Sequence, residues 1–268
     1  MVMLTDGDPT AGIKDFSSLT QHAADMRQRG YSCTFLGFGP DYNEELLASM
    51  AKRSGGNYYY IAQPQLIPEI FRTELQKLMA VSSTQQSLSL KFARWVTLKG
   101  LTGYSGSLNE REISLDLADL ERGSVMQVVL DLEFANHPLG HYRVAGGTLR
   151  YTELGGSTQA VDVDCVMEFT ADASRYGLPQ DPRVASAAQV SAAGRVVEKT
   201  MLGLKTQAIT TAAALQDLQK TQALLLNEGR VSEAKEVTIA MQAIQSGDLG
   251  AANKTLMGTM TNLDQGKR

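Results

Sequence analysis

Two different spacings of apolar residues divide the chain, and a third pattern closes it. Over residues 1 to about 80, short apolar runs alternate with amphipathic stretches. Val2-Met3-Leu4 reads as a strand. Asp15 can cap a helix through about Arg29 that presents Leu19, Ala23 and Met26 on one face, and Gly30 stops it. A second strand follows at Tyr31–Phe38. The helix Asn43–Lys52 begins with acids and ends with bases, as the helix dipole favours, and Gly55-Gly56 closes it. Asn57–Ile61 (NYYYI) is a third strand. Pro68 opens PEIFRTELQKLMAV, placed in the first helical turn where its missing N–H costs nothing. Three strand-helix units with short loops predict a Rossmann-like parallel sheet covered by helices.

From Ser87 to about Thr170 the period falls to two. SLSLKF, RWVTLKGL, EISLDLADL, SVMQVVLDLEF, RVAGGTLRYTEL and AVDVDCVMEF are six strand candidates. Turn residues at 103–106, 121–123, 137–140 and 155–156 separate several of them. This predicts an antiparallel β-sandwich, with Phe92 and Trp95 in its core.

Beyond Pro182 the pattern is helical. Val197, Met201, Leu204, Ala208, Thr211, Leu215, Leu218, Gln222 and Leu225 follow a 4,3 spacing, a seam of about four heptads and roughly 43 Å. Gly203 lies inside it and weakens a helix by about 1 kcal/mol relative to Ala, so a break there is one outcome. Thr211 and Gln222 in the seam favour packing within the chain over an intermolecular coiled coil. NEGRVSEAK and QSGDLGAAN each place an Ala five residues after a Gly (Gly229 to Ala234, Gly247 to Ala252). Gly can end one helix while Ala lets the next approach closely, which predicts a hairpin of tetratricopeptide type packed on the long helix. The expected division is 1–82 α/β, 83–175 β-sandwich and 180–268 helical: a multidomain α/β, all-β and all-α chain.

Composition narrows the function. Of 268 residues, 43% are apolar and 20% charged, and the formal net charge is −4, which with no basic run argues against a nucleic-acid surface. No apolar run approaches the ~18 residues of a membrane span, and Asp6 and Asp8 break up the N-terminal apolar run too early for a signal peptide. Cys33 and Cys165 both fall in strand-like runs, so buried free thiols and a reducing cytoplasm are expected.

Candidate chemistry is sparse. His22, His137 and His141 have no Cys or Glu cluster completing a zinc site, and 137–141 reads as a turn. The serines lack a Gly-x-Ser-x-Gly setting, and Gly37-Phe38-Gly39 runs into Pro40-Asp41-Tyr42, without the amides that cradle phosphate. Alternation puts Tyr59 on one face of its strand and Tyr58 and Tyr60 on the other, as core residues. No pair of titratable groups in the loops supports catalysis, so an enzyme is not expected.

VMLTDG at the start, TFLGFGPDYNEELLASMAKRSGGNYYYI in the middle and PQLIPEIFRTELQKL at the end resemble the C-terminal half of a von Willebrand factor type A domain. Their order is similar to bacterial members in which a β-sandwich and a helical tail follow. The resemblance implies a metal-ion-dependent adhesion site: Mg²⁺ at the C-terminal edge of the sheet, bound by an Asp-x-Ser-x-Ser, a middle-loop Thr and a later Asp. Asp6 matches only the last of these. The first two are absent from this sequence, and the nearest approach, Asp15-Phe16-Ser17-Ser18-Leu19, ends in Leu where a helix should begin. One carboxylate cannot hold a reluctantly dehydrated Mg²⁺. Asp6 is therefore expected as a remnant ligand that stabilises its own turn, with no cofactor in this chain and Mg²⁺ in an intact relative.

The family's sheet order implies that the first strand here lacks its inner neighbour, leaving Met1–Leu4 as an apolar edge. Three arrangements answer it: a chain that is a fragment of a longer product, pairing of the edge with another copy or another protein, or a helical tail folded over it. The expected function is a non-enzymatic protein–protein interaction or scaffolding module with an incomplete adhesion site. The alternative is a subunit of a chaperone or metal-insertion complex working with a partner ATPase.

Overall fold

The computed structural model describes residues 1–102, 106–109 and 111–266. In the N-terminal layer, β1 (Val2–Thr5), β2 (Thr34–Phe38) and β3 (Tyr58–Ile61) form a parallel sheet in the order β1-β2-β3. Helices α1 (Phe16–Gln28) and α2 (Glu44–Ser54) connect them. The Asp15 cap and the Gly55 stop predicted from sequence are present, and Asn43, read as the first helical residue, is instead the cap of α2. Asp15 accepts from the Ser18 amide, Asn43 from the Leu46 amide, and Gly55 ends α2 in the left-handed conformation. β2 starts at Thr34 rather than Tyr31, because Tyr31 lies exposed outside the ladder and Cys33 is tied to the Ser54 hydroxyl.

One face of this sheet carries a core of Phe35, Tyr42, Leu47, Ala51 and Tyr58. The other face meets α3 (Ile67–Ala80), which reverses the usual amphipathic arrangement: its one buried residue is Glu74, while Phe71, Leu75, Leu78 and Met79 are exposed. Val81, expected to end that helix, instead begins β4 (Val81–Phe92), drawn into pairing with β8 (Leu120–Glu121).

The antiparallel region contains β4, β5 (Val96–Thr102), β6 (Gly106–Asn109), β7 (Glu112–Asp116), β8, β9 (Val129–Phe134), β10 (Gly140–Glu153) and β11 (Thr158–Phe169). The larger sheet runs β11-β10-β4-β7-β6 with β8 on β4; β5 and β9 form a second, two-stranded sheet. Leu90, Phe92, Val96, Ile113, Leu115 and Val144 form the core, with Trp95 packed against it. Within β10, Gly147 permits close approach to β4: a Cβ there would lie 1.9 Å from the Ser89 carbonyl oxygen. The turn expected at 103–106 falls outside the described residues except for Gly106, where β6 begins.

After a short α4 (Ala173–Tyr176), four helices complete the chain: α5 (Pro182–Lys205), α6 (Thr211–Asn227), α7 (Val231–Ser246) and α8 (Leu249–Asp264). The 197–225 seam is thus not one helix but two. Ile209 occupies the space beside Gly203, 2.9 Å from where a Cβ would sit, and Thr210 caps the new helix through the Ala213 amide. Val197, Leu204, Leu218 and Leu225 nevertheless share one core with α7 and α8, whereas Ala208 and Thr211 at the break are exposed. The two Gly-to-Ala units behave as expected. Gly229 and Gly247 have positive φ, and Ala234 and Ala252 are buried at the helix contacts.

The tail does not cover the β1 edge. It packs on α2 and β3, the far side of the sheet, with Met257 in the α/β core and Gln265 donating to the Gly56 carbonyl. The strand at the opposite edge keeps Met1, Met3 and Leu4 exposed. Across the other domain boundary, Arg27 of α1 pairs with Asp119 at 2.6 Å and donates to the Leu117 carbonyl at 2.7 Å.

Candidate functional site

The C-terminal ends of the parallel strands are where an open α/β sheet presents its loops. β1 delivers Asp6 there, exposed. The turn it was expected to stabilise is closed by its neighbour instead: the Thr5 hydroxyl donates to the Gly7 carbonyl at 3.0 Å and accepts from the Gly7 amide at 3.4 Å. Asp8 reaches across to α2, accepting the Asn43 amide at 3.0 Å.

The β2–α2 loop builds the other wall. Tyr42 folds back over β2 and can do so only because residue 37 is glycine; a Cβ there would lie 2.2 Å from the Tyr42 ring. Its hydroxyl shares a 2.8 Å hydrogen bond with Tyr58, and burial pushes both phenols well above their ordinary range. Glu44 and Glu45 then occupy the first turn of α2, where the helix dipole favours acids.

Two lysines from the tail answer these acids. Lys254 of α8 is buried, donates to the Tyr42 carbonyl at 3.0 Å and to Glu44 at 2.9 Å, and lies 4.3 Å from the Tyr42 ring centre. Lys205 of α5 pairs with Glu45 at 2.5 Å, which raises the lysine's pKa. Between these walls lies an open cavity of about 420 Å³, in which Asp8, Asp41, Glu44 and Glu45 face Lys205. The cavity is net acidic.

These residues do not fit a resident divalent cation. Asp6 is not among those lining the cavity, and among the described residues no three His, Cys, Asp or Glu side chains could together hold a metal ion.

On the opposite face, Glu74 anchors α3 through polar contacts. Its carboxylate accepts from Thr34 at 2.8 Å, Asn57 at 3.1 Å and Tyr59 at 2.6 Å, with Lys77 at 3.5 Å. Burial pushes its pKa up, but these donors and Lys77 outweigh burial and hold the group below its usual value. Tyr59 faces this cluster while Tyr58 faces the α2–α8 core, the alternation expected from NYYYI.

The remaining candidates lie apart. His137 packs against Trp95, Tyr142 and Phe169 at the end of the sandwich, with ring centres 4.8, 3.9 and 5.5 Å away. His141 lies 3.8 Å from Glu168. Cys33 is buried as expected, but Cys165, on the terminal strand β11 of the larger sheet, is exposed. Sequence reasoning missed Lys205 and Lys254. Their distance from the acids in the chain left no local signal, although the acidic start of α2 was visible.

The molecule is therefore an open α/β layer, acidic along its strand ends, joined to antiparallel sheets and a helical tail. Residues 1–60 match the family described as von Willebrand factor type A domain, and the α/β layer is part of such a domain. A curated relative, the uncharacterized protein YfbK of Escherichia coli K12, is 26% identical over 106 residues, which is 39% of this chain and 18% of that protein. A von Willebrand factor type A protein from Catenulispora acidiphila superposes with a TM-score of 0.66 at 15% identity, over 88% of this chain and 57% of that one. The ArnB paralog VWA2 from Sulfolobus acidocaldarius gives 0.57 at 15% identity, over 98% and 63%. The human COPII-coat protein Sec24c gives 0.55 at 12% identity, over 97% and 39%. The chain thus spans less than two thirds of the length of each of these proteins. The structural likenesses describe the fold alone. Among the described residues, no helix is long and apolar enough to cross a membrane.

Proposed function

We propose that this chain is a non-enzymatic protein–protein interaction module of the von Willebrand factor type A kind, and that its β1 edge accepts a strand from its partner. The open edge carries the proposal. β1 pairs only with β2 among the described strands, and Met3 and Leu4 stay about half exposed, at 45% and 47%. Strand addition uses main-chain hydrogen bonds for affinity and alternate side chains for specificity, and this edge offers both. The acidic cavity at the strand ends provides a neighbouring contact for a basic group. Its carboxylates are held rather than free to move protons: Glu44 by Lys254, Glu45 by Lys205, and Asp8 by the Asn43 amide. Asp6 is the remnant of a cation site that would need ligands from outside this sequence.

The pairing geometry supplies a selective test. The Met1 carbonyl accepts from the Thr34 amide, so the groups of Met1, Met3 and Thr5 face β2 while those of Val2 and Leu4 face outward. Leu4→Pro removes an outward N–H without touching the β2 ladder. Light scattering on the purified chain should show a dimer or larger assembly, and Leu4→Pro should shift it to monomer with unchanged circular dichroism. A wild-type chain that stays monomeric at high concentration would overturn edge pairing.

A further inference from the structure

Glu198, Met201, Leu202 and Lys205 recur along α5 at the spacing that places them on one face, and Asn253 and Met257 do the same on α8. With Glu44 and Glu45 at the start of α2, these residues enclose a second cavity of about 120 Å³. Much of its wall is apolar. Met257 is buried in the α/β core, Met201 packs against both that core and the helical one, and Leu202 is exposed. Methionine side chains are flexible and polarisable, so such a wall adapts to an inserted aliphatic group. Glu44, Glu45 and Lys205 also line the acidic cavity at the strand ends, so the two cavities adjoin and form one cleft, apolar at one end and acidic at the other.

The charges in this cleft are not balanced. Lys254 holds Glu44 and Lys205 holds Glu45, but Asp8, Asp41 and Glu198 have no cationic partner among the described residues. Asn253 adds an uncharged acceptor: it lines the apolar cavity, and its Oδ1 is buried with no hydrogen-bond partner among the described residues. A buried acceptor without a donor is a cost to the free protein that an N–H from a ligand relieves. These features exclude simpler occupants. An anion would meet the surplus carboxylates. A metal ion would lack ligands, since among the described residues no three His, Cys, Asp or Glu side chains could hold one. An uncharged apolar group would leave the acids and the Asn253 oxygen as they are.

We propose that this cleft receives a basic side chain of a partner protein. The aliphatic stem lies against Met201, Leu202 and Met257, and the cationic head reaches the wall of Glu44, Glu45 and Glu198. Asp8 and Asp41 in the adjoining cavity add to the attraction. Lys205 already occupies this wall, but its pair with Glu45 is about half exposed on both sides and yields to a cation with a better-covered stem. The proposal rests on the reading of this chain as an interaction module, but not on strand addition at β1.

The test is methyl NMR of the whole chain, labelled at methionine and titrated at low ionic strength with Nα-acetyl-lysine amide. Saturable shifts of the Met201 and Met257 methyls are expected, and none with the uncharged Nα-acetyl-norleucine amide. Glu198→Gln should weaken binding about threefold, and Lys205→Gln, which removes the internal competitor, should tighten it about threefold. Asn253→Ala should weaken it about 10-fold if its oxygen accepts from the ammonium. Glu198 and Lys205 are exposed, so both of those variants keep the fold. Leu4→Pro should bind as wild type does, so failure of edge pairing and failure of this site are read separately. Absence of saturation, equal shifts with the norleucine derivative, or a Lys205→Gln variant that binds no better than wild type would overturn the proposal. Tighter binding of n-butylamine than of the lysine derivative would overturn the protein partner in favour of a small amine.

Discussion

Lys254→Met should reveal how firmly the tail is fastened to the α/β layer. The lysine side chain is 6% exposed and that of Glu44 21%, so the pair is enclosed rather than superficial. Removing one partner of a buried pair costs about 3–5 kcal/mol, mainly through the charge left behind. Partial exposure of Glu44 lets water recover some of that, and methionine keeps most of the aliphatic stem, so about 2–3 kcal/mol is expected. This includes about 1 kcal/mol from the cation–π contact with Tyr42 and the hydrogen bond lost at its carbonyl. Urea denaturation of wild type, Lys254→Met, Glu44→Gln and the double variant completes a cycle, with an expected coupling of about 1.5 kcal/mol or more between the charges. A loss below about 0.5 kcal/mol in Lys254→Met would place the contact among ordinary surface pairs and refute the reasoning.

Gly147→Ala should be among the most damaging single changes, since its Cβ meets main chain at 1.9 Å rather than a movable side chain. A loss above about 4 kcal/mol, or failure to accumulate folded protein, is expected from denaturation midpoints and expression. Thiol labelling of the native chain should modify Cys165 quickly and Cys33 only on unfolding, because Cys33 is enclosed and burial raises its pKa. Equal native rates would contradict that packing. Glu74 has a lowered folded pKa, so its contribution is present above the unfolded value and is lost as pH falls through the folded one. Acid titration of stability should therefore be shallower in Glu74→Gln, which should also cost about 1.5–3 kcal/mol at neutral pH. Leu75→Glu on α3 should change stability by less than about 0.5 kcal/mol, since Leu75 is exposed; a larger loss would mean that a contact covers it.

Local chemistry made the α/β layer legible. Asp15 and Gly55 each perform the capping role their positions suggested, because such roles depend on neighbours within four residues. The seam at 197–225 misled for a physical reason: a hydrophobic period records which side chains reach the core, and two helices sharing a core satisfy the same period as one. The break depends on Ile209 filling the space beside Gly203, a contact that periodicity does not encode. The inward face of α3 was not legible from its own residues. Glu74 is the residue that turns inward, because Thr34, Asn57 and Tyr59 on distant segments supply its hydrogen bonds. The acidic edge was partly visible in Asn43-Glu44-Glu45, whereas Lys205 and Lys254 reach it only through the tail's packing.

That polar anchoring of α3 explains why the open side of the sheet remains apolar. At 100° per residue, Lys77 lies about 60° to one side of Glu74, while Phe71, Leu78 and Leu75 lie about 60°, 40° and 100° to the other. Lys77 points to the β3 flank, where it meets Tyr59 and the tail. The apolar residues therefore lie on the side of α3 turned away from Lys77, where Phe71, Leu75 and Leu78 are exposed. The two edges of the parallel sheet are thus managed differently. α8 packs on β3 beside the Glu74–Tyr59–Lys77 cluster, whereas β1 has no partner but β2 among the described strands. Because α3 is held by hydrogen bonds to a buried carboxylate, its leucines are not needed for docking and stay available. Under the proposed edge pairing, a strand entering beside β1 would extend the ladder through the outward groups of Val2 and Leu4.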